Sequence, residues 1–130
     1  MSSDRRRLSA TAVYFAVQAV ATLAWWAVIA WSPAWRRWFA FGDDGASLWT
    51  FFPADLLCWC VGSLAAAWGD WRRSSWSRSI AWAVSGAITA SVLQAATLAL
   101  HTLAGLPGVL LMAPALVLTV FFTWRSTRDR

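Results

Sequence analysis

The sequence predicts an all-α membrane protein, an antiparallel bundle of four transmembrane helices with both termini in the cytoplasm. The chain has 130 residues, of which 59% are hydrophobic and only 13% are charged, about half the charged fraction of soluble domains. A soluble domain of this length could not bury so much apolar surface, so lipid must cover it. The arginines and many of the tryptophans stand at the ends of apolar segments, where membrane helices meet lipid headgroups.

Four apolar segments are long enough to cross a bilayer, which requires about 20 residues. The uncharged region between Arg78 and Arg125 would form one helix of roughly 70 Å, more than twice the hydrocarbon thickness. It must therefore turn, and residues 105–108 (Gly-Leu-Pro-Gly) suit a reversal followed by a new helix. The predicted spans of this single domain, residues 1–130, cover about residues 8–31, 49–68, 80–101 and 106–124.

The arginines predict the orientation of the chain. Only Arg36 and Arg37 lie between spans one and two, whereas all other arginines flank the termini or join spans two and three. Because positive residues are kept on the cytoplasmic side, both termini are expected there. Residues 35–39 then predict a short segment on the outer membrane surface, and residues 42–45 an exposed turn. The Ala-, Arg- and Trp-rich composition favours a bacterial protein of the inner membrane.

The net charge of +5 does not indicate a nucleic-acid partner. A basic protein can bind nucleic acid through a patch of positive side chains. Here the positive charge lies in short clusters at span ends, where it anchors helices to anionic lipids. Membrane lipids, a second copy of the chain or a partner membrane protein are the expected partners.

Small residues predict close packing between spans two and three. Gly62 and Ala66 are four residues apart in span two, and Gly86 and Ala90 have the same spacing in span three. In lipid, where packing replaces the hydrophobic effect as the cohesive force, such residues let helix backbones approach each other.

Asp55 is the one acidic residue inside a predicted span. A charged carboxylate in hydrocarbon costs at least a few kcal/mol, so it usually faces a partner or water. If Pro53 is the first helical residue, Asp55 stands at the third position and caps the helix near the outer interface. The second interpretation is that Asp55 belongs to a functional site, and the sequence leaves both open.

Polar and aromatic residues of spans one and three are the candidate neighbours of Asp55. Gln94 lies at the same depth as Asp55 along its helix, and the other candidates share helix faces by their spacing. Buried amides and carboxylates need partners, so these residues predict either a polar contact between helices or the wall of a pocket. The candidates are Asp55, Gln94, His101, Gln18, Thr97, Thr22, Trp25 and Trp26.

The remaining reactive residues predict no cofactor, no metal and no catalytic set. Cys58 and Cys60 are two apart, so on a helix their thiols point about 200° away from each other and cannot easily pair. His101 is the only histidine, and a metal site needs more ligands than one histidine and one aspartate. No motif assigns the chain to a family.

The function expected from these features is non-enzymatic: an accessory subunit, or a bundle that binds lipid or another apolar ligand. A bundle of this size has limited room for an internal cavity, which favours sites between chains. Two alternatives remain open: a small proton-coupled exporter that uses Asp55, and a membrane enzyme that acts on lipids with Asp55 and His101 as acid and base.

Overall fold

The structure, a computed structural model, describes residues 9–42 and 45–128. Within this part of the chain all regular structure is helical, and four helices are long and apolar enough to cross a membrane. The predicted all-helical, multi-pass chain is confirmed to that extent. The start of the first predicted span and the arginines at 5–7 and 130 lie outside the described residues. The helices are α1 (Ala10–Trp31), α2 (Pro33–Phe39), α3 (Ala46–Trp71), α4 (Ser77–Thr102) and α5 (Leu106–Arg128).

Two serines define the limits of α1. The Ser9 side chain accepts a hydrogen bond from the Ala12 amide at 2.9 Å and so caps the first turn. At the other end the chain leaves the helix at Ser32, whose side chain caps α2. The Arg36 guanidinium then reaches back to the carbonyl oxygens of Ile29 and Ala30 at 3.2 and 3.3 Å. It pairs two of the carbonyls that the end of α1 would otherwise leave free.

Helix α3 begins earlier than the sequence predicts. Gly45, with a φ of +92°, precedes the first helical residue, Ala46. The placement of Pro53 at the first helical position is therefore wrong, because Pro53 lies inside α3. Directly after it, residues Asp55–Gly62 form a π-helix before α-helix resumes at Ser63. A proline inside a helix lacks an N–H and crowds the preceding turn, and wider π-turns inside α-helices are rare and frequent at functional sites.

A tight turn joins α4 to α5 at the position that the glycines predict. Leu103 and Gly105 both have positive φ, at 55° and 74°, and α5 starts at Leu106. A side chain at position 105 would place its Cβ only 2.6 Å from the Phe41 ring. Glycine is therefore required here both by the backbone conformation and by space.

The small-residue motif of α3 packs as predicted, and that of α4 does not. A Cβ on Gly62 would lie 2.7 Å from the Val84 side chain, so the two helices approach closely there. A Cβ on Gly86 would meet nothing within 4 Å, because this residue and Ala90 are exposed. The four-residue spacing places two small residues on one face of a helix, but it does not tell whether that face turns inward.

Candidate functional site

A cavity of about 390 Å³ lies between α1, α3 and α5, toward the end of the protein where α2 and the α4–α5 turn are found. We call it the aromatic cavity. Most of its wall is apolar, and its single acidic residue is Asp55. The short length of the chain led us to expect sites between chains, whereas this cavity lies within one chain. Its seven aromatic lining residues are Tyr14, Trp25, Trp26, Phe39, Phe41, Phe51 and Trp59.

Asp55 is the first residue of the π-helical segment and is only 8% exposed. Its Oδ2 atom accepts a hydrogen bond from the Trp26 indole N–H at 3.2 Å. The Trp26 ring is itself fixed by edge contact with Phe52, at a centroid distance of 5.0 Å. Because α3 begins nine residues before Asp55, the capping interpretation is wrong: Asp55 lies away from the positive end of its helix.

Two buried polar atoms, on two residues that line the cavity, have no partner. Asp55 Oδ1 and Trp59 Nε1 are the only buried side-chain nitrogen or oxygen atoms in residues 9–42 and 45–128 that form no hydrogen bond. Both side chains line the cavity, and Trp59 is 7% exposed. They stand four residues apart on α3, which places them on the same side of the helix. Each buried polar atom left unpaired costs about 1–3 kcal/mol, so a group that paired with both would be bound favourably.

No basic side chain offsets the Asp55 carboxyl group within the cavity. None of the lining residues is Arg, Lys or His. Arg36 is committed elsewhere, to the carbonyl oxygens at the end of α1 and to the Trp49 ring, whose centroid is 5.8 Å from its guanidinium carbon. The cavity therefore combines an unpaired acceptor and an unpaired donor with a wall that offers no positive charge.

Next to the cavity lies a cluster of polar side chains that pair with one another, which we call the polar lock: Tyr14, Gln18, Ser63 and Thr119. Gln18 Oε1 accepts from the Tyr14 and Thr119 hydroxyl groups at 2.6 and 2.7 Å. Gln18 Nε2 donates to Ser63 Oγ at 2.9 Å. The lock thus ties α1 to α3 and to α5. Gln18 borders the cavity, but its carboxamide oxygen already accepts two bonds.

The aromatic cavity opens sideways between α1 and α5. Val17 of α1 and Leu111 and Leu118 of α5 line it, yet they are 60%, 59% and 46% exposed. Residues that both line a cavity and reach the outer surface mark its opening. Since these helices are long and apolar enough to span a membrane, the opening faces the region that lipid chains would occupy.

The structure brings five of the eight candidate residues to the cavity and leaves three outside it. Those that line it are Asp55, Gln18, Thr22, Trp25 and Trp26. Those on the exposed surface of α4 are Gln94, Thr97 and His101. The only lining residue from α4 is Ala95, one position after Gln94 and so about 100° further round the helix. Equal depth paired Asp55 with Gln94, but depth leaves the rotation of a helix undetermined.

Trp59 and Tyr14 also line the cavity, although neither was predicted to be a site residue. Trp59 stands four residues after Asp55, so the helical spacing that selected the other candidates would have selected it too. Tyr14 stands four residues before Gln18 and bonds to it.

Cysteine and histidine do not assemble a second site. Cys58 and Cys60 are both free thiols, and Cys60 is buried. In the described part of the chain no three His, Cys, Asp or Glu side chains come together. His101 does not line the aromatic cavity, so the acid–base pair of Asp55 and His101 considered for an enzyme is not formed there. The chain matches no protein-family model, no curated protein and no solved structure.

Proposed function

We propose that this chain is a small bacterial inner-membrane protein that binds an apolar, membrane-dissolved ligand in the aromatic cavity and catalyses no reaction. One observation carries the proposal: an apolar cavity whose wall holds an unpaired carboxyl oxygen and an unpaired indole N–H. The volume of about 390 Å³ falls in the range of ligand sites, about 300–1,000 Å³. Such sites combine apolar walls with a few polar groups that orient the ligand.

The proposed setting is an antiparallel four-helix bundle with both termini in the cytoplasm. Support comes from Ser9 at the start of α1, which bonds to Asp70 near the end of α3, and from the 2.8 Å contact of Ser85 with Thr123 between α4 and α5. At this same end, Arg128 stacks 3.8 Å over the Trp124 ring. Arginine and tryptophan together suit a membrane interface. A reporter fused after position 130 tests the orientation: a cytoplasmic reporter should be active there and a periplasmic phosphatase inactive.

Access from the lipid follows from the position of the opening. The cavity has the volume of about a dozen water molecules, at roughly 30 Å³ each, which is less than a membrane lipid needs. The ligand's polar end and the first part of its chain would fill the cavity. The rest of the chain would leave between α1 and α5, past Val17 and Leu118.

A cavity-filling variant tests the proposed function. Ala21 lines the cavity, whereas Ala24, on the same helix and also exposed, does not. Native mass spectrometry of the protein released from lipid nanodiscs should detect a bound apolar molecule in the wild type and in Ala24→Phe, and none in Ala21→Phe. Equal occupancy in the two variants would place the ligand elsewhere and refute the proposal.

Proton-coupled export is the second candidate, because Asp55 is the single acidic residue of a cavity without basic side chains. Export requires that the site also open toward water, whereas its exposed lining residues lie on the two membrane-spanning helices α1 and α5. Proteoliposomes with an imposed pH gradient decide between the candidates. Uptake of a lipophilic cation that follows the gradient and stops in Asp55→Asn would favour export over simple binding.

Self-association through α4 is the proposed mode of assembly. Gln94 is exposed in the middle of an apolar segment, and among the described residues its amide has no hydrogen-bond partner. An amide both donates and accepts, so two copies can pair Gln94 with Gln94, and such bonds favour helix association in lipid. Energy transfer between labelled copies in liposomes should fall in Gln94→Leu and persist in Leu93→Ala. Unchanged transfer in Gln94→Leu would leave this face for a partner protein.

A further inference from the structure

We infer that the polar end of the ligand is a hydroxyl group, so that the aromatic cavity takes a membrane-dissolved alcohol with one long apolar chain. The inference rests on the proposed function, because it names the chemistry of the ligand in that same site. It follows from the two unpaired atoms, Asp55 Oδ1 and Trp59 Nε1, and from what can pair with both.

The two atoms need opposite kinds of hydrogen-bond partner. An indole N–H can only donate a hydrogen bond, and an ionised carboxyl oxygen can only accept one. A hydroxyl group has one proton and two lone pairs. A single hydroxyl can therefore donate to Asp55 Oδ1 and accept from Trp59 Nε1. Both residues line the cavity and stand four apart on one side of α3. Both atoms are buried in the empty site, so binding requires a small rotation of the two side chains toward the cavity, where one hydroxyl would lie between them.

The match does not depend on the protonation of Asp55. Its Oδ2 atom accepts from Trp26, so a proton on this carboxyl group would be carried by Oδ1. That atom would then donate, and the hydroxyl oxygen would accept from it and from Trp59 through its two lone pairs. In either state the hydroxyl pairs with both atoms of the wall.

Ammonium, carboxylate, phosphate and ether head groups each leave a polar atom unpaired or meet the wrong charge. An ammonium group can donate to Asp55 but has no lone pair for the Trp59 N–H. A carboxylate or phosphate can accept from Trp59, but it would face Asp55 in a cavity that no Arg, Lys or His lines. An ether oxygen can accept from Trp59 and cannot donate to an ionised Asp55. A head with several hydroxyl groups would bring polar atoms against an apolar wall.

Three brominated probes of equal chain length test the inference: a long-chain primary alcohol, its methyl ether and the corresponding primary ammonium. Bromine quenches tryptophan fluorescence at short range, and Trp25, Trp26 and Trp59 line the cavity. The full chain is placed in phosphatidylcholine nanodiscs and titrated with each probe. With Asp55 ionised, we expect the alcohol to bind at least about tenfold more tightly than the ether, because only the alcohol can donate a hydrogen bond to the carboxylate.

Variants assign the binding to the two atoms. Trp59→Phe keeps an aromatic ring, although a smaller one, and removes the N–H, so it should reduce the preference for the alcohol; the matched control below loses the same ring volume. Trp68→Phe is the matched control, because Trp68 is exposed on α3 and does not line the cavity. Asp55→Asn removes the charge beside the second atom and should weaken binding of the alcohol. If that variant fails to fold, Trp59→Phe still tests whether the hydroxyl group pairs with the indole N–H. An alcohol preference that persists undiminished in Trp59→Phe would refute the inference.

The three probes also separate this inference from the proposed function. If the ammonium binds more tightly than the alcohol, or if all three bind equally, the hydroxyl is wrong and the apolar binding site stands. If none quenches more than its partitioning into the bilayer explains, and Ala21→Phe changes nothing, both are wrong.

Discussion

The polar lock and the aromatic cavity are adjacent regions built on the same three helices, but they differ in hydrogen bonding: polar atoms are paired in the lock and partly unpaired in the cavity. In the lock, the Gln18 carboxamide is paired with side chains of α1, α3 and α5. In the cavity, Asp55 has one paired and one unpaired oxygen, and the Trp59 N–H is unpaired. Lipid offers no hydrogen bonds. Polar groups that hold helices together therefore pair with one another, and groups left unpaired indicate a partner from outside the chain.

The backbone of α3 changes where the two regions meet. The π-helical segment carries Asp55 and Trp59 and ends at Gly62, and the lock residue Ser63 is the first residue of the α-helix that follows. Wider turns rotate the side chains after them relative to an uninterrupted α-helix. The π-segment thus contributes to the rotation of α3 at which Ser63 faces Gln18.

The largest stability effect is expected from the lock. Gln18→Leu keeps the size of the side chain and removes its bonds to Tyr14, Thr119 and Ser63. Interhelical hydrogen bonds in membranes contribute about 0.6 kcal/mol each on average, so we expect a loss of about 2 kcal/mol. Unfolding in mixed micelles measures it. The control is Gln94→Leu, whose amide is exposed and should matter little for the stability of one copy. Equal losses in both would mean that the lock does not hold the helices together.

The contrast between these two glutamines also shows how far the sequence predicts the structure. The number of spans follows from the length of the apolar segments, because a helix must cross the whole hydrocarbon core. The α4–α5 turn follows from the glycines and the proline of residues 105–108. The rotation of each helix depends on neighbours that no single span encodes, so Gln94 was placed beside Asp55 and lies outside. A start at Pro53 was predicted because proline suits the first helical position, whereas α3 starts directly after Gly45, whose φ is positive. The π-segment has no sequence pattern that predicts it.

A smaller effect is expected where α3 and α4 touch, beside the lock. Gly62→Ala places a Cβ 2.7 Å from the Val84 side chain, and overpacking of this kind costs about 1–3 kcal/mol. We expect about 1 kcal/mol, because the valine methyl group can shift. Gly86→Ala is the matched control, since its Cβ would meet nothing within 4 Å. The same unfolding measurement compares the two variants, and a larger loss in Gly86→Ala would contradict the packing described for these helices.

The smallest stability effect is expected in the cavity, at Asp55. Asp55→Asn keeps the shape of the side chain and an oxygen that can accept from the Trp26 N–H. The unpaired position remains unpaired, so the free energy of unfolding should change by less than about 1 kcal/mol, within the range of ordinary substitutions. Binding of the alcohol probe should nevertheless weaken, because the variant loses the charge-assisted bond to its hydroxyl group. Gln18→Leu should instead lower the stability, through the loss of its three hydrogen bonds. If Asp55→Asn instead destabilises the protein as much as Gln18→Leu and leaves binding unchanged, Asp55 belongs to the framework, and the distinction between lock and cavity fails.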